Sequence, residues 1–412
     1  ILASLVEQIW FLQIQTNFPG PFLQSLWRYA SRDYLRGSMM GFGMVRSAAL
    51  LIEGLGLCMA VVALSRTDAG LVRRLVRMVL AGAIGAALIN LFYAISQVIG
   101  SGAWPSELVN ALLHRRWTYH VGDLNAAGSY FALTLPLAVG AATACRGRER
   151  VWLALGGGVI GLALWMTGAR AAQAGLLVAL VLLVASRIVC TRSPRERSLV
   201  IGAAAIVPVA AIVGMLWLSG GAARVMPERG LVQMTAGAAV QDRLLFTQGS
   251  LAMWAFRPVF GVGVGQYYLW SARFFPPALR AIHPRENAHN YVLQIAAEMG
   301  AVGLVLFLWV LGAAARPLWP SVVQPSADPV RLGLAAGLGA FMISALAGQP
   351  FLVPPVVYSF WLLVGVAAAS DTRGLSVTPA HGHQDALTDP NHQTASGRPT
   401  VGFRGRAVVV GL

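Results

Sequence analysis

The sequence predicts an all-α membrane protein, a bundle of about nine or ten membrane-spanning helices with one long connecting loop. Of its 412 residues, 57% are hydrophobic and only 11% are charged, whereas soluble domains carry roughly 25% charged residues. The mean hydropathy of +0.65 points the same way. A soluble fold of this length would need more polar surface than these residues supply. The composition therefore excludes an ordinary soluble enzyme, a disordered protein and a disulfide-rich secreted domain.

Apolar runs of membrane-spanning length recur along most of the chain. A helix needs about 20 such residues to cross roughly 30 Å of hydrocarbon. The runs are 39–65, 78–99, 128–145, 198–219, 299–315, 332–350 and 352–370. The run 151–186 is too long for one straight span, so we expect two helices that fold back at Thr167-Gly168-Ala169-Arg170. This arrangement gives nine spans, and residues 1–15 are typical of a further, incomplete one.

Composition divides the chain into five parts. They are a truncated N-terminal span remnant with an outer segment (1–38), transmembrane helices (39–219), a long loop (220–298), C-terminal transmembrane helices (299–370) and a polar, disordered tail (371–412). The chain starts inside an apolar stretch without a methionine, so we expect its natural start to lie upstream.

The arginines predict which side of the membrane each connection faces. All 31 basic residues are arginine, and thirteen of them lie in the connections 66–77, 146–150, 187–197 and 316–331. The order of the spans places these four connections on one side. Only three arginines lie in the opposite connections 100–127, 168–170 and 350–352. Short cytoplasmic loops are enriched in basic residues, so the first set and the tail are predicted to be cytoplasmic, and the loop 220–298 lies outside.

The loop 220–298 combines seven arginines with a dense set of aromatic residues. Guanidinium groups bind phosphate oxygens through a planar fork of donors. One interpretation is a solvated loop that rests on the headgroups of membrane lipids. The interpretation we favour is an outward-facing site for an anionic ligand. The loop shows no convincing acidic metal cluster, so we expect no metal there. We also expect no cofactor and no nucleic-acid partner.

A polar motif follows at the end of this loop. It consists of His289, Asn290, Gln294, Glu298, Gly300 and Gly303. The histidine and asparagine are followed by nine residues and then by a Gly-x-x-Gly that enters an apolar helix. The histidine, glutamine and glutamate recur near helical spacing, so we expect the motif to start an interfacial helix.

The pattern His289-Asn290-x9-Gly300-x-x-Gly303 resembles the signature of the bacterial O-antigen ligase and O-antigen polymerase superfamily. The turn Thr167-Gly168-Ala169-Arg170 is similar to an arginine turn of that family. The runs Gly261-x-Gly-x-Gly and Gly122-Asp-Leu-Asn also resemble family segments. The resemblance covers roughly residues 120–370. It implies a membrane glycosyltransferase of the GT-C type that acts in lipopolysaccharide or exopolysaccharide biosynthesis in the inner membrane.

The resemblance also implies substrates and roles. Family members move a glycan from undecaprenyl diphosphate to an acceptor hydroxyl on the periplasmic face, which implies lipid A-core or a growing polysaccharide as the acceptor. His289 would act as the base and Arg170 as a second catalytic residue. Arg243, Arg257 and Arg285 would bind the diphosphate. The motif residues Asn290, Gln294, Glu298, Gly300 and Gly303 would support the site. We expect a metal-independent reaction that inverts the anomeric centre.

Two alternatives remain open at the level of sequence. The enzyme could polymerise lipid-linked repeat units instead of ligating a finished chain, since only the acceptor differs. A protein of another class, a solute transporter, would need polar groups and broken helices at mid-membrane. Arg46 and Glu53 are the only ionisable residues at that depth, and we expect a structural pairing there.

Overall fold

The computed structural model of the protein describes residues 23, 27, 43–68, 70–102, 116–191, 236–324 and 328–370. Within these ranges the chain forms twelve α-helices and two 3₁₀ turns, and it contains no β-strand. The predicted span 198–219 and the tail 371–412 lie outside the described residues, as do almost all of residues 1–38.

The helices are numbered here in chain order. They are α1 (Gly43–Thr67), α2 (Leu71–Gly100), α3 (Leu124–Ala144), α4 (Gly147–Thr167), α5 (Arg170–Thr191), α6 (Ala236–Phe256), α7 (Tyr267–Phe274), α8 (Pro277–Ile282), α9 (Tyr291–Ala315), α10 (Trp319–Val323), α11 (Pro329–Ala345) and α12 (Pro354–Ala369). The 3₁₀ turns are Arg316–Leu318 and Pro350–Leu352.

Five helical segments of the described chain are long and apolar enough to cross a membrane. They are α1, α2, α3, α4 and the segment Tyr291–Val323. Three shorter helical segments are also apolar: Arg170–Ser186, Pro329–Ala345 and Pro354–Ala369. The prediction of an all-α, polytopic membrane bundle is confirmed. The expected fold-back near Thr167 is also observed, because α4 ends there and α5 begins at Arg170.

Among the described helices, α3 and α11 pack most extensively. A Cβ atom added to Gly333 would lie 2.2 Å from the carbonyl oxygen of Pro136, and one added to Gly337 would lie 2.1 Å from that of Leu133. The two glycines are four residues apart and share one helix face. In lipid, where helices associate through close packing, small residues at this spacing allow backbones to touch.

An aromatic cluster fixes the start of α9 against the turn between α11 and α12. The ring of Tyr291 stacks on Phe351 at 4.3 Å with an interplanar angle of 15°. Phe351 also packs edge-on against Phe341 and Phe360, at 5.2 and 4.9 Å. The 3₁₀ turn, backed by α11 and α12, thus holds the residue that directly follows the His289-Asn290 pair.

The connections between helices gather at two ends of the bundle. At one end, Nη2 of Arg77 in α2 lies 3.1 Å from Oε1 of Glu149 in α4, which brings together two connections that the sequence predicts to be cytoplasmic. At the other end of α4, Nε of Arg116 donates to the carbonyl of Thr167 at 2.9 Å. The predicted outer connections meet there.

The segment predicted as one long loop is largely helical in its described part. It contains α6, α7, α8 and the first turns of α9. Three of its aromatic residues, Phe246, Tyr267 and Phe275, form a small core separate from the main one, together with Met253, Val262, Leu279, Ala288 and Ala297. The aromatic density therefore packs these short helices against each other and against α9, in addition to any contact with lipid.

Two ionisable residues of α1, Arg46 and Glu53, contact the region around α12. Nη2 of Arg46 donates to the carbonyl of Leu352 at 2.8 Å, and the carboxylate of Glu53 accepts from the hydroxyl of Tyr358. Each therefore has a structural partner, and these contacts tie α1 to the turn at Leu352 and to the last span.

Candidate active site

The site is built around a break in α9. Gly300 adopts φ 66° and ψ −166° inside this helix, a conformation that is essentially restricted to glycine. A Cβ atom there would lie 2.1 Å from the carbonyl oxygen of Val259. The Gly-x-x-Gly of the motif therefore does not simply enter a helix, because its first glycine interrupts one.

The segment 258–263, which includes the start of the glycine run 261–265, forms backbone hydrogen bonds across this break. The N–H groups of Val262 and Gly263 donate to the carbonyls of Ala297 and Glu298, both at 2.9 Å. In the other direction, the N–H groups of Ala301 and Val302 donate to the carbonyls of Pro258 and Val259, at 2.8 and 3.2 Å. Backbone groups that the break would leave unpaired at membrane depth are thus satisfied. The two glycine motifs form one structural unit.

Glu298 anchors this unit through its side chain. Its Oε2 accepts from the N–H of Gly265 at 2.8 Å, and its Oε1 accepts from the N–H of Tyr267 at 3.3 Å. Oε1 also accepts from Nε2 of Gln294 at 3.1 Å. The carboxylate is 4% exposed. A buried carboxylate requires several donors, and these donors come from the segment that closes the helix break.

His289 lies just before the helix in an unusual backbone conformation. Its φ is 50°, the only positive value at a non-glycine position in the described residues. The next residue, Asn290, is the N-cap of α9, and its Oδ1 accepts from the N–H of Leu293 at 3.1 Å. Left-handed backbone at a non-glycine residue is strained and often occurs at functional sites. The His-Asn pair thus combines a strained residue with a helix cap.

Arg243 of α6 holds that strained residue. Its Nη1 donates to the carbonyl oxygen of His289 at 3.0 Å. Phe246, one helical turn later, packs its ring 4.7 Å from the imidazole of His289. α6 itself is fixed by a hydrogen bond of 2.6 Å between the hydroxyls of Ser250 and Tyr267. A helix in the predicted loop therefore orients the motif histidine from both its backbone and its ring.

The imidazole of His289 is neutral in this environment. Burial, together with the positive charge of Arg243 and the neighbouring His283, lowers the pKa of His289 to about 3. Burial also lowers the pKa of Arg243, while the carboxylates of Asp242 and Asp123 oppose this change; an arginine still remains charged at neutral pH. The sequence alone suggested an ordinary histidine pKa of about 6.5. In the structure, His289 carries a free lone pair but is a weak base.

A cavity of about 390 Å³ lies beside His289. It lies between the starts of α1, α3 and α9, the segment before α9 and the turn after α11. Three predicted residues line it: His289, Gln294 and Glu298. Further polar lining residues are Arg46, Ser47, Asp123, Asn125, Tyr268, Glu286, Asn287 and Gln349. The cavity therefore collects residues from both halves of the described chain.

Arg170 lies near the cavity but does not line it. The turn before it is fixed by Gly168, with φ 58°, and by the Thr167 hydroxyl, which accepts from the N–H of Ala169 at 3.2 Å. A Cβ atom added to Gly128 in the first turns of α3 would lie 2.3 Å from Cβ of Ala169. Because α3 begins beside the cavity, the arginine turn packs against the helix that forms one cavity wall.

The remaining predicted arginines occupy different positions. Arg243 contacts the backbone of His289 and does not line the cavity. Arg257 is exposed at the end of α6, with its guanidinium 6.0 Å from the ring of Phe256. Arg285 is partly buried in the segment that leads to the motif. The cavity wall contains neither Arg257 nor Arg285.

Several residues of the site were not predicted from sequence. Arg116 bridges the arginine turn and the cavity wall, since Nη2 lies 3.5 Å from Oδ1 of Asn125. Asp123 is the N-cap of α3, and its Oδ1 accepts from the N–H groups of Asn125 and Ala126 at 2.7 and 2.9 Å. An Asp two residues before an Asn at a span start is a capping signal, so this wall could have been found. Arg46 also lines the cavity, although its position in the sequence indicated only a structural role.

The described residues contain no group of three or more His, Cys, Asp or Glu side chains that could hold a metal ion. The carboxylates of the cavity wall instead accept hydrogen bonds from backbone N–H groups.

A comparison with known protein families gives a match for the middle of the chain. Residues 151–308 match the family model described as O-antigen ligase. No curated protein and no solved structure gives a significant match. The matched range includes the arginine turn, the glycine run and the His289 motif, and the structure brings these segments to the same end of the bundle. This match supports the resemblance of the middle of the chain to the O-antigen ligase and polymerase superfamily.

Proposed function

We propose that this chain is a metal-independent, inverting glycosyltransferase that ligates a glycan from undecaprenyl diphosphate to a hydroxyl of lipid A-core at the periplasmic face of the inner membrane. The observation that carries the proposal is the geometry of His289. A neutral imidazole lines a cavity at one end of a membrane bundle, in a strained backbone conformation held by Arg243. Strain of this kind is retained where it positions a reacting group.

The proposed reaction is a single displacement. The acceptor oxygen forms a bond to the anomeric carbon, and its proton passes to the imidazole of His289. The bond between the anomeric carbon and the phosphate oxygen breaks, and its electron pair leaves with undecaprenyl diphosphate. His289 is a weak base, so proton transfer is expected late, when the acceptor oxygen has become acidic through bonding to carbon.

Arginines stabilise the leaving diphosphate in this proposal. Arg170 follows a rigid turn beside α3, and Arg116 lies against that turn. Positioned guanidinium groups supply positive charge where negative charge develops, so the mechanism requires no divalent metal. Arg243 keeps His289 in place and adds positive charge nearby. The exposed position of Arg257 makes it a weaker candidate than the sequence suggested.

A polymerase that joins lipid-linked repeat units would use the same groups, because only the acceptor differs. A transporter is less well supported. α9 is broken at Gly300, as helices of transporters often are, but the glycine run fills that break with backbone hydrogen bonds. The hydrogen bonds at the break therefore attach the segment between α6 and α7 to α9.

Reconstitution of the full chain in proteoliposomes tests the proposal. The assay supplies an undecaprenyl-diphosphate glycan together with lipid A-core or with further lipid-linked repeats. A glycosylated lipid A-core supports the ligase, a lengthened lipid-linked chain indicates the polymerase, and translocation without covalent change indicates a transporter. His289→Ala and Arg170→Ala should abolish transfer without preventing membrane insertion. Arg280→Ala, on the exposed surface of α8, is the matched control and should remain active.

A further inference from the structure

We propose that the cavity beside His289 is the acceptor subsite and that it binds an uncharged sugar ring mainly by accepting hydrogen bonds from its hydroxyl groups. This inference rests on the proposed glycosyltransferase function and adds to it the chemical class of the group bound in the cavity.

Gln294 provides the first argument. The residue is only 2% exposed and lines the cavity. Its Nε2 must face the carboxylate of Glu298, to which it donates at 3.1 Å. Its Oε1 is consequently left as a buried acceptor that has no hydrogen-bond partner among the described residues. An unsatisfied buried acceptor destabilises the folded protein. A hydroxyl donor brought by a ligand would relieve this destabilisation.

The carboxylates of the cavity wall point to the same chemistry. Oδ1 of Asp123 accepts two backbone N–H groups, and Oε1 of Glu286 accepts the N–H of Asn287 at 2.9 Å. These bonds use one oxygen of each carboxylate, so the second oxygen of each adds acceptor capacity. Arg46 is the one arginine in the wall, and its Nη2 donates to the carbonyl of Leu352. These acceptors favour a ligand that carries donors, such as a polyhydroxylated ring, and the hydroxyl and amide groups of the same wall can donate to its oxygens.

The same carboxylates disfavour an anionic ligand. Asp123 and Glu286 outnumber Arg46 in the wall, and like charges placed together reduce binding. The diphosphate is thus expected outside this wall, on the side of Arg116 and Arg170. A cavity of about 390 Å³ lies at the small end of the range of roughly 300–1,000 Å³ for ligand pockets. It suits a terminal sugar rather than a whole glycan.

The position of His289 indicates that the cavity binds the acceptor sugar and not the donor sugar. A general base must lie within hydrogen-bond reach of the hydroxyl whose proton it accepts. Because His289 lines this cavity, the sugar bound there carries the attacking hydroxyl, which makes it the acceptor. In an inverting displacement the leaving diphosphate lies on the opposite side of the anomeric carbon. This geometry agrees with a cavity rich in hydrogen-bond acceptors for the attacking sugar and with arginines on the other side for the diphosphate.

The inference is tested with Gln294→Met and Glu286→Gln in the full chain, using whichever acceptor is active in the reconstitution. We expect the acceptor KM to rise at least tenfold in Gln294→Met while the donor KM changes less than twofold. Gln248→Met, an exposed glutamine of α6 away from the cavity, should change neither value. Glu286 is only partly buried in the segment before α9, so its variant probes the cavity even if the glutamine variant fails to fold.

The charge selectivity has its own measurement. The active acceptor is compared with the same acceptor after oxidation of the primary hydroxyl of its terminal sugar to a carboxylate. The wild-type kcat/KM should fall at least tenfold for the oxidised acceptor, and Glu286→Gln should reduce that difference. Equal use of both acceptors by the wild type, or a rise in donor KM alone in the cavity variants, would overturn the inference. Absence of any transfer by the wild type would instead overturn the proposed function, and the inference with it.

Discussion

Arg243 and His289 are joined by a hydrogen bond of 3.0 Å from the Nη1 atom of the arginine to the carbonyl oxygen of the histidine. The histidine is the only non-glycine residue with positive φ in the described chain. The bond runs from a helix in the predicted loop to the motif that precedes α9. Arg243 was predicted as a diphosphate ligand, whereas its observed contact is with the backbone of the proposed base.

Arg243→Ala should reduce transfer at least tenfold by releasing His289 from its strained conformation. A hydrogen bond from a charged donor is worth about 1.5–3 kcal/mol, which is comparable to the cost of the strain. The measurement is kcat and the donor KM in proteoliposomes, with the exposed Arg280→Ala as control. A loss confined to kcat supports a positioning role. A rise in donor KM with unchanged kcat would show that Arg243 acts as a substrate ligand and does not position His289.

The pH dependence of transfer should follow the low pKa of His289. The neutral form accepts the proton, and burial together with Arg243 and His283 lowers the pKa to about 3. As pH falls through the ordinary value of about 6.5, His289 stays neutral. We therefore expect kcat/KM, which reports the free enzyme, to remain nearly constant there and to decline only at lower pH. Bound diphosphate adds negative charge and raises the pKa, so the acid limb of kcat should lie at higher pH.

Arg243→Gln provides the companion measurement. It removes a positive neighbour, so the pKa of His289 should rise and the acid limb of kcat/KM should move to higher pH. A wild-type acid limb at or above about 6.5 in kcat/KM would contradict a buried neutral imidazole.

The sequence predicted the bundle and the motif because both depend on local pattern. Apolar runs define helices such as α3 and α11, and the spacing from His289 to Gly303 lies within one helix and its cap. The backbone pairing between Gly263 and Glu298 could not be read in the same way. It joins two segments of the chain through backbone hydrogen bonds, and neither segment alone indicates the break at Gly300.

For the arginines, too, local sequence pattern predicted the general property but not the individual contacts. Charge composition correctly marked the loop 220–298 as basic, but it could not rank individual residues. The packing of α6, α7 and α8 against α9 decides that Arg243 reaches His289 while Arg257 is exposed. Arg46 was not predicted as a cavity residue, because a charged residue inside a span suggests pairing between helices. Its place in the cavity depends on the 3₁₀ turn at Leu352, whose position the sequence does not show.

Gly300→Ala should both destabilise the protein and abolish transfer. The backbone at Gly300 is accessible essentially only to glycine, and such strain costs about 1–3 kcal/mol at other residues. The added Cβ would also lie 2.1 Å from the Val259 carbonyl oxygen. Relief of this clash would move the glycine run away from α9. Gly312→Ala, in the same helix with no atom within 4 Å, is the matched control. Alanine is favoured there by about 1 kcal/mol in a helix, so its Tm should be equal or higher. Equal Tm and activity in Gly300→Ala would refute the role of the break.

Arg116 should act through the turn that carries Arg170. Its Nε donates to the Thr167 carbonyl at 2.9 Å, and a Cβ atom at Gly168 would lie 2.9 Å from its Cγ, so the side chain lies directly on the turn. Arg116→Ala should lower kcat/KM for the donor about tenfold, because small displacements of positioned charges reduce transition-state stabilisation strongly. Residues that act as one unit give non-additive effects. Arg170→Ala should therefore cost less in the Arg116→Ala background than in the wild type. Fully additive losses across the four proteins would mean that Arg116 binds substrate independently of the turn.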